Sequence, residues 1–410
     1  MINVEFTQDF FINNRKKLKK ILANNDPLII TGNGLIQRGA DSSYQFTQDA
    51  NFWYLTGIND PDITLVIDDE DREFLIVPIR DGSRVTFDGQ IEPFSLQAIS
   101  GVSDIVNEAS GWKRIDSILE RTKRLATLAP APSFIEQYGM YANPARARLM
   151  ERLHHHVQDL ELVDIRSQLA NMRMIKQPQE LAAIQSAIDI TCQTLAEVLT
   201  KPKGSYRYEY QIEADISRGF RFRGSDGHAF EPIVAGGVRA CTLHNITNNG
   251  KLSNDELVIL DVGASVQGYA ADITRVYANS QPTSRQKDIF QAVKETQKYS
   301  LGLLKPGINL KTYESNVVRF MGTKLKQLGL INNTSTESIR QFFPHATSHF
   351  LGLNVHDVGD YQKPLKVGSV LTVEPGIYVH QEGIGVRLED DVLITKSGIE
   401  ILSRNLPLEL

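Results

Sequence analysis

The segment LVILDVGASVQGYAADITRVY, residues 257–277, consists of two apolar runs on either side of a short polar stretch that contains a glycine. This pattern predicts two β-strands joined by a tight turn. Each run carries one aspartate, Asp261 in the first and Asp272 in the second. A turn centred on Val266 and Gln267 would place the two aspartates directly opposite one another on one face. The segment therefore predicts an antiparallel hairpin with two carboxylates facing each other in a largely buried sheet.

Two carboxylates at such a position repel each other and are costly to remove from water, so protons, Arg275 or bound cations must neutralise them. Two further acids lie in apolar strand sequence. Glu374 ends SVLTVE, and Glu389 lies in GVRLEDDVLIT, where period-two alternation places Arg387 on the same face of the strand. Four carboxylates in predicted strands favour bound cations over the other two explanations.

The segment HATSHFLGLNVHD, residues 345–357, contains three histidines in an apolar stretch that is punctuated by glycine. Four carboxylates, with a total charge of about −4, and one imidazole form a ligand set for two divalent cations. We choose His349 as the imidazole ligand because it lies between the other two histidines. His345 and His356 are then expected to hydrogen-bond to the ligands or to the substrate. Oxygen ligands with a single nitrogen favour Mn²⁺ over Zn²⁺.

The length of the chain predicts two domains, because 410 residues and 45.9 kDa exceed what one ordinary hydrophobic core accommodates. Short β-branched and aromatic runs between helical patterns predict a mixed α/β domain in the first part. Further on, Pro178 begins a helix, and long helical patterns then alternate with strands, which predicts helices on a mostly antiparallel sheet. We place the boundary between residues 167 and 168, which gives domains 1–167 and 168–410 of an α+β protein.

The composition excludes several classes of protein. It is 41% hydrophobic and 23% charged, and no apolar run approaches the roughly 18 residues that span a bilayer, so we expect a soluble protein with no membrane partner. The N-terminal segment lacks the pattern of a secretory signal, which predicts a cytoplasmic protein. A net charge of −5 and a pI near 6.0 disfavour nucleic acid as a partner. Only two cysteines, Cys192 and Cys241, are present, which argues against a disulfide framework and thiolate ligands.

Five residues in order, in the contexts DVGASVQGYAADITR, HATSHFLGLNVHD, VEPGIY and GVRLEDDVLIT, closely resemble the metal ligands of the pita-bread metallopeptidases (family M24), and in particular of the Xaa-Pro aminopeptidases (aminopeptidase P). These residues are Asp261, Asp272, His349, Glu374 and Glu389. The resemblance covers nearly the whole chain, because residues 38–57 resemble the creatinase-like N-terminal domain and MRMIKQPQELAAIQSAI resembles the start of the catalytic domain. Two departures concern substrate preference: Asn245 follows His244 where the family often has tyrosine, and FDG at residues 87–89 replaces a frequent tryptophan.

The resemblance implies a creatinase-like N-terminal α/β domain followed by a pita-bread catalytic domain. It implies an enzyme that releases the N-terminal residue from peptides with proline in the second position, by means of a hydroxide that bridges two divalent metal ions, with Mn²⁺ as the favoured metal. Arg387 would orient Glu389 or Asp272 through a charge-assisted pair. Relatives commonly form dimers or tetramers, so we expect a homo-oligomer.

The resemblance also implies roles for the remaining polar residues. Glu374 would be the general base that passes a proton to the leaving amine. His356 and His244 would hydrogen-bond to the scissile carbonyl and to the oxyanion that develops on it. His345 would hydrogen-bond to residues of the site without contacting the substrate itself. These residues, with Arg387, are the catalytic residues that the sequence predicts.

Other proteins of the same fold are the alternatives. An Xaa-Pro dipeptidase (prolidase) shares both domains and stays open, whereas methionine aminopeptidase is disfavoured by the large N-terminal domain. Creatinase-like hydrolases share the architecture without the metals, and the five retained ligands argue against them. A non-enzymatic binding protein of this fold is the alternative from another class, and the same ligands argue against it.

Overall fold

The computed structural model describes residues 5–22, 25–80, 82–129, 139–156 and 159–410. The chain divides into two compact units, Glu5–Ala170 and Asn171–Leu410. The division that the sequence predicts, between residues 167 and 168, falls in the helix Arg166–Met174, which also contains the observed division. Each helix in the described ranges is too short or too polar to cross a lipid bilayer.

The N-terminal unit contains a six-stranded mixed sheet and a small two-stranded hairpin. Its strands are β1 (Leu28–Thr31), β2 (Gln37–Gly39), β3 (Ser42–Ser43), β4 (Thr64–Ile67), β5 (Glu73–Val77), β6 (Asp104–Asn107), β7 (Arg124–Thr127) and β8 (Glu161–Asp164). The large sheet has the strand order β6, β5, β4, β1, β7, β8. Strand β4 is antiparallel to β1 and β5, whereas the other pairs are parallel.

Helices alternate with these strands along the chain, as the sequence predicts. They are α1 (Gln8–Ile21), α2 (Ala50–Thr56), α3 (Gly82–Asp88), α4 (Pro93–Ser100), α5 (Glu108–Thr122), α6 (Pro144–His156) and α7 (Arg166–Met174). Helix α5 carries Trp112, Ile115 and Leu119 at helical spacing, and these side chains share a buried cluster with Ile29 of β1 and Val66 of β4. This cluster covers one face of the sheet, and residues on the opposite face, including Leu28 and Leu65, are buried as well.

The C-terminal unit combines long helices with several short sheets. Its helices are α8 (Pro178–Leu199), α9 (Glu209–Phe222), α10 (Ser284–Leu303), α11 (Leu310–Gln327) and α12 (Thr336–Arg340). Its strands are β9 (Gly227–His228), β10 (Ile233–Gly236), β11 (Leu257–Val262), β12 (Ala264–Val266), β13 (Tyr269–Ala270), β14 (Ile273–Ala278), β15 (Val370–Val373), β16 (Gly376–Val379), β17 (Ile384–Arg387), β18 (Asp390–Thr395) and β19 (Gly398–Ile401). Within residues 171–410, all of which are described, the named strands pair antiparallel, as the sequence predicts.

Local signals in the sequence set the starts of the helices in this unit. Pro178 occupies the first turn of α8, and the Glu180 carboxylate accepts a hydrogen bond from the backbone N–H of Gln177 at 2.9 Å. The predicted start of this helix is confirmed. Helices α10 and α11 pack on the sheets, since Val293 and Met321 belong to one buried apolar cluster with residues of β15, β17 and β18.

Strands β11 to β14 form one hairpin with a uniform register, in which Asp261 pairs with Thr274. The turn consists of Gln267 and Gly268, which both have positive φ, as a type I′ turn requires. The turn therefore lies one residue later than the sequence predicts, because glycine takes the second position. The expectation that Asp261 directly faces Asp272 is wrong by two residues. The two aspartates nevertheless lie on one face, as diagonal neighbours.

A second hairpin carries Glu374 and Glu389. Strands β15 and β18 pair on one side of the two glutamates, and β16 and β17 pair on the other side in the same register. Glu374 and Glu389 thus occupy matching positions where the hairpin passes from one sheet into another. The expectation that Arg387 and Glu389 share one strand is wrong, because Leu388 and Glu389 lie between β17 and β18.

Candidate metal centre

Three groups that could bind one metal ion converge in the C-terminal unit. Asp272, His349 and Glu389 each offer a ligand atom, and these atoms lie within 4.8 Å of one another. His349 Nε2 lies 3.4 Å from Asp272 Oδ2 and 3.5 Å from Glu374 Oε1, so a fourth predicted ligand adjoins them. Carboxylate oxygens and a single imidazole nitrogen are a donor set that divalent cations accept.

The two hairpins bring these acids together because they are joined to each other beside the acids. The backbone N–H of Glu389 donates to the carbonyl oxygen of Thr274 at 3.2 Å. The hydroxyl of Thr274 donates to Glu389 Oε2 at 2.7 Å. Thr274 pairs with Asp261 across the first hairpin and lies two residues beyond Asp272. One threonine therefore connects the aspartates of one hairpin with a glutamate of the other.

His349 is held by the segment around it, which runs along strand β15. The backbone N–H of Thr372 donates to the carbonyl oxygen of His349 at 3.0 Å, and that of Glu374 donates to Thr347 at 2.9 Å. His349 Nδ1 lies 3.0 Å from the carbonyl oxygen of Phe350. Because a carbonyl oxygen only accepts, Nδ1 carries the hydrogen, and the lone pair of Nε2 faces the carboxylates.

The electrostatics of the carboxylates fit bound cations. Burial, with the nearby charge of Asp261, raises the pKa of Asp272 well above its usual range. Burial and the nearby charges of Asp272 and Glu374 raise the pKa of Glu389 well above its usual range. Burial, with the nearby charges of Asp272 and Asp261, raises the pKa of Glu374 to about 7, although His349 and Arg387 act in the opposite direction. Asp261 Oδ1 is buried and has no hydrogen-bond partner among the described residues. A cluster that is costly to ionise and offers an orphaned oxygen fits divalent cations.

Arg387 lies within this cluster, but its ionic partner is not the expected one. Its Nη2 donates to Asp261 Oδ2 at 2.5 Å, its Nε to the hydroxyl of Thr274 at 3.2 Å and its Nη1 to the hydroxyl of Tyr378 at 2.7 Å. The expectation that Arg387 pairs with Glu389 or Asp272 is wrong. The Arg387 side chain is linked to Glu389 through the hydroxyl of Thr274, which accepts from Arg387 and donates to Glu389 Oε2.

His345 lies beside Glu374 and Tyr378. Its Nε2 lies 2.9 Å from the hydroxyl of Tyr378, and its Nδ1 lies 2.8 Å from the carbonyl oxygen of Ala346 and 3.6 Å from Glu374 Oε2. Burial and the charge of Arg387 lower the pKa of His345 to about 3, so the ring is neutral. Since Arg387 donates to the Tyr378 oxygen, the Tyr378 hydroxyl donates onward to His345 Nε2.

His356 and His244 lie on the accessible side of the cluster. The ring of His356 lies against that of His349, with centroids 4.2 Å apart. Desolvation and the neighbouring imidazoles of His349 and His244 lower the pKa of His356 to about 4. His244 follows the 3₁₀ helix Gly237–Cys241 and is exposed. The structure thus brings the nine predicted residues into one region, with His244 at its edge.

Three residues of this region escaped the sequence-based prediction. Thr274 and Tyr378 form the hydrogen bonds described above. Asp391 is completely buried, and its Oδ2 accepts the backbone N–H of Asp272 at 3.0 Å. Period-two alternation was a usable signal for the first two, since Thr274 follows Asp272 by two residues and Tyr378 follows Glu374 by four. For Asp391 the sequence offers only an acid in an apolar strand.

Two family models match the chain. The model for metallopeptidase family M24 matches residues 182–396. The model for the N-terminal domain of aminopeptidase P matches residues 11–127. The first match covers the two hairpins, the histidine segment and the ligand residues described above.

Curated proteins and solved structures are similar over nearly the full length. An Xaa-Pro aminopeptidase of Haemophilus influenzae is 34% identical over 401 residues, which covers 91% of this chain and 89% of the relative. The structure of proline aminopeptidase P II from Yersinia pestis has a TM-score of 0.87 and 30% identity, with 98% of each chain covered. Zinc-substituted aminopeptidase P from Escherichia coli in complex with product has a TM-score of 0.86 and 29% identity, with 99% of this chain and 97% of that chain covered.

These similarities confirm the α+β fold that the sequence predicts, a creatinase-like N-terminal domain followed by a pita-bread catalytic domain. They also account for the convergence of four acids and an imidazole in an otherwise apolar setting. The chain therefore belongs to metallopeptidase family M24, in the two-domain form of aminopeptidase P, and is a metal-dependent hydrolase.

Proposed function

We propose that this protein is an Xaa-Pro aminopeptidase, which releases the N-terminal residue from peptides with proline in the second position. The observation that carries the proposal is the convergence of Asp272, His349 and Glu389, with Glu374 alongside, in a chain that is 34% identical to a bacterial Xaa-Pro aminopeptidase. A non-enzymatic binding protein of the same fold would not need to retain the complete set of metal ligands.

Two divalent cations, with Mn²⁺ as the favoured ion, would be held by the side chains of both hairpins and of the histidine segment. The proposed ligands are Asp261, Asp272, His349, Glu374 and Glu389. Four carboxylates with about four negative charges balance two divalent cations. When bound, such cations would supply hydroxide at neutral pH, because they lower the pKa of water.

Glu374 is the carboxylate best suited to move protons. Its side chain is 18% accessible, against 7% for Asp272, so it meets the substrate side of the cluster. We assign it the role of general base, which takes a proton from the attacking water on Oε2 and passes it to the proline nitrogen as the peptide bond breaks. The neutral ring of His345 lies beside this oxygen, with Nδ1 3.6 Å away and its hydrogen donated to the carbonyl oxygen of Ala346.

His356 and His244 would hydrogen-bond to the carbonyl oxygen of the scissile bond. Both lie on the accessible side of the cluster, and the lowered pKa of His356 keeps its ring neutral at physiological pH. A neutral imidazole still has one N–H that can donate to a developing oxyanion. Each donor of this kind contributes about 3 kcal/mol to stabilisation of the transition state.

The test is hydrolysis of an Arg-Pro-Pro tripeptide by metal-stripped protein, with and without added manganese. We expect release of arginine that requires manganese, and no release from an Arg-Ala-Ala control. An Xaa-Pro dipeptidase is the second candidate, and an Arg-Pro dipeptide distinguishes it. If manganese-loaded protein cleaves only the dipeptide, the protein is a prolidase. If it cleaves neither peptide, the proposed function is wrong.

We also propose a cytoplasmic location and a homo-oligomer, either a dimer or a tetramer. The two free cysteines, Cys192 and Cys241, support a reducing compartment. Light scattering coupled to size-exclusion chromatography measures the oligomeric state directly, and a monomeric mass would contradict the second proposal.

A further inference from the structure

A completely buried ion cluster lies behind the histidine segment. Arg173 Nη2 donates to Asp357 Oδ1, and Lys176 Nζ donates to Asp357 Oδ2 at 2.9 Å. The three side chains are each 1% accessible. Although burial acts in the opposite direction, Arg173 and Lys176 lower the pKa of Asp357, so the carboxylate is ionised. Both of its oxygens are thus fixed by cations.

The cluster joins the start of the C-terminal unit to the histidine segment. Lys176 Nζ also donates to the carbonyl oxygen of Arg173 at 2.7 Å, and the backbone N–H of Lys176 donates to Gly368 at 2.9 Å. Lys176 is therefore itself held in place by backbone groups. Asp357 directly follows His356, so whatever fixes the carboxylate of Asp357 also fixes the backbone of the histidine.

A glycine in the same segment lets the backbone approach the cluster. A Cβ atom on Gly352 would lie 2.1 Å from Asp357 Oδ2 and 2.5 Å from Lys176 Nζ, so only glycine fits there. The carbonyl oxygen of Gly352 accepts the backbone N–H of Ala270 at the tip of the first hairpin, at 2.8 Å. The backbone N–H of Asp357 donates to Phe350 at 2.8 Å. Residues 350–357 thus form a closed loop around the ion cluster.

A buried ion cluster is an expensive way to hold a loop. Apolar side chains of similar volume are often as stabilising or more so, because ions lose their hydration when they are buried. An ion cluster offers fixed directions instead, since the two oxygens of Asp357 accept from two separate donors. The residue whose orientation would depend on these directions is His356. The centroid of its ring lies 4.2 Å from that of His349.

We propose that Asp357, held by Arg173 and Lys176, is a positioning residue that aims His356 at the substrate. The inference rests on the proposed function, in which His356 donates to the scissile carbonyl. Lys176 and Asp357 are neither proposed metal ligands nor among the residues assigned to the substrate, and Asp357 acts on His356 through the peptide bond that joins them.

A double-mutant cycle with Lys176→Met and His356→Gln tests this dependence. We expect Lys176→Met to lower kcat about tenfold or more, with little change in KM, because an oxyanion donor acts mainly in the transition state. In the His356→Gln background the same change should lower kcat less than about twofold. Equal losses in both backgrounds would overturn the proposal. Lys176→Gln serves the same cycle if Lys176→Met does not fold, and Lys176→Arg should restore most of kcat.

A second readout does not depend on activity. The ring resonance of His356 in ¹³C-histidine-labelled protein, assigned with His356→Gln and recorded with and without diamagnetic zinc, should shift in Lys176→Met, while the bound metal content stays unchanged. An unshifted resonance would overturn the proposal. If the wild-type protein cleaves no Xaa-Pro peptide, the proposed function fails, but this resonance still decides whether Lys176 positions His356.

The matched control is Arg15→Met in the N-terminal unit. Arg15 is completely buried and pairs at 2.7 Å with Glu73, whose side chain is 25% accessible, so its removal also leaves a carboxylate without its cation. We expect a lower Tm with unchanged kcat and an unchanged His356 resonance. If Lys176→Met behaved in the same way as Arg15→Met, the cluster would serve stability alone and the proposal would be wrong.

Discussion

The guanidinium of Arg387 lies 2.5 Å from the carboxylate of Asp261, and it joins the two hairpins that carry the acidic ligands. Its other nitrogens donate to Thr274 on the first hairpin and to Tyr378 on the second. The three bonds leave the side chain in three directions. A planar guanidinium provides this arrangement, whereas a lysine ammonium provides a single point of charge.

Arg387→Lys is therefore expected to lower kcat about tenfold or more although the charge is retained. Arg387→Met should in addition lower the free energy of unfolding by about 3–5 kcal/mol, because a buried carboxylate loses its partner. Steady-state kinetics and denaturant titration measure the two effects. The control is Arg285→Lys in the partly exposed pair with Glu382, where we expect a change below about 1 kcal/mol and full activity. Full activity of Arg387→Lys would contradict the assigned role.

Asp272→Ala should abolish both metal binding and hydrolysis, because Asp272 adjoins His349 and Glu389 at the centre of the cluster. The isosteric Asp272→Asn should raise the Tm of the metal-free protein, since a neutral amide avoids the cost of burying an ionisable carboxyl group beside other acids, which is what raises the pKa of Asp272. Metal content and differential scanning fluorimetry give the two results. Asp288→Ala, at an exposed position of α10, is the control and should change neither. Turnover by Asp272→Ala would rule out the dinuclear assignment.

Gly263→Ala should disrupt the site without touching a ligand. A Cβ atom at Gly263 would lie 1.7 Å from the carbonyl oxygen of Ala271, so the two arms of the first hairpin would have to separate between Asp261 and Asp272. We expect weaker manganese binding and a lower Tm. Gly302→Ala in α10 is the control: its Cβ would meet no atom within 4 Å, and alanine favours helix, so Tm should stay unchanged or rise. Unaltered manganese affinity in Gly263→Ala would contradict the argument.

The stabilisation of the protein by manganese should increase with pH. In the folded metal-free protein the pKa of Glu374 is raised to about 7, and those of Asp272 and Glu389 are raised as well. Groups with raised pKa values contribute stability at low pH that is lost as pH rises through about 7. Cations replace the protons, so manganese should raise Tm more at about pH 8 than at about pH 5.5. Scanning fluorimetry with and without chelator measures this, and an equal increase at both pH values would contradict it.

The elements around the site could be predicted from the sequence because strong local signals define them. Pro178 sets the start of α8, and apolar runs with embedded acids give both hairpins. The position of the first turn was missed by one residue. Apolar periodicity leaves the register of a hairpin open, and the decisive requirement was positive φ at Gln267 and Gly268.

The contacts within the site were less predictable because they connect segments that are remote in the sequence. The partner of Arg387 depends on how the second hairpin meets the first, since Asp261 and Thr274 lie more than 110 positions away in the sequence. The cluster of Arg173, Lys176 and Asp357 joins residues more than 180 positions apart. No short-range sequence pattern predicts such a cluster, since each of these charged residues alone is typical of a solvated surface.

The two-residue turn of the first hairpin limits the insertions and deletions that this protein can tolerate during evolution. A residue inserted into or deleted from either arm, between the turn and one of the aspartates, would carry Asp261 or Asp272 to the opposite side of the sheet. The number of residues in each arm therefore determines which face of the sheet each of the two carboxylates occupies. Distant homologues that have lost most sequence identity should still keep this interval, and a chain that has altered it should have lost the enzyme's chemistry.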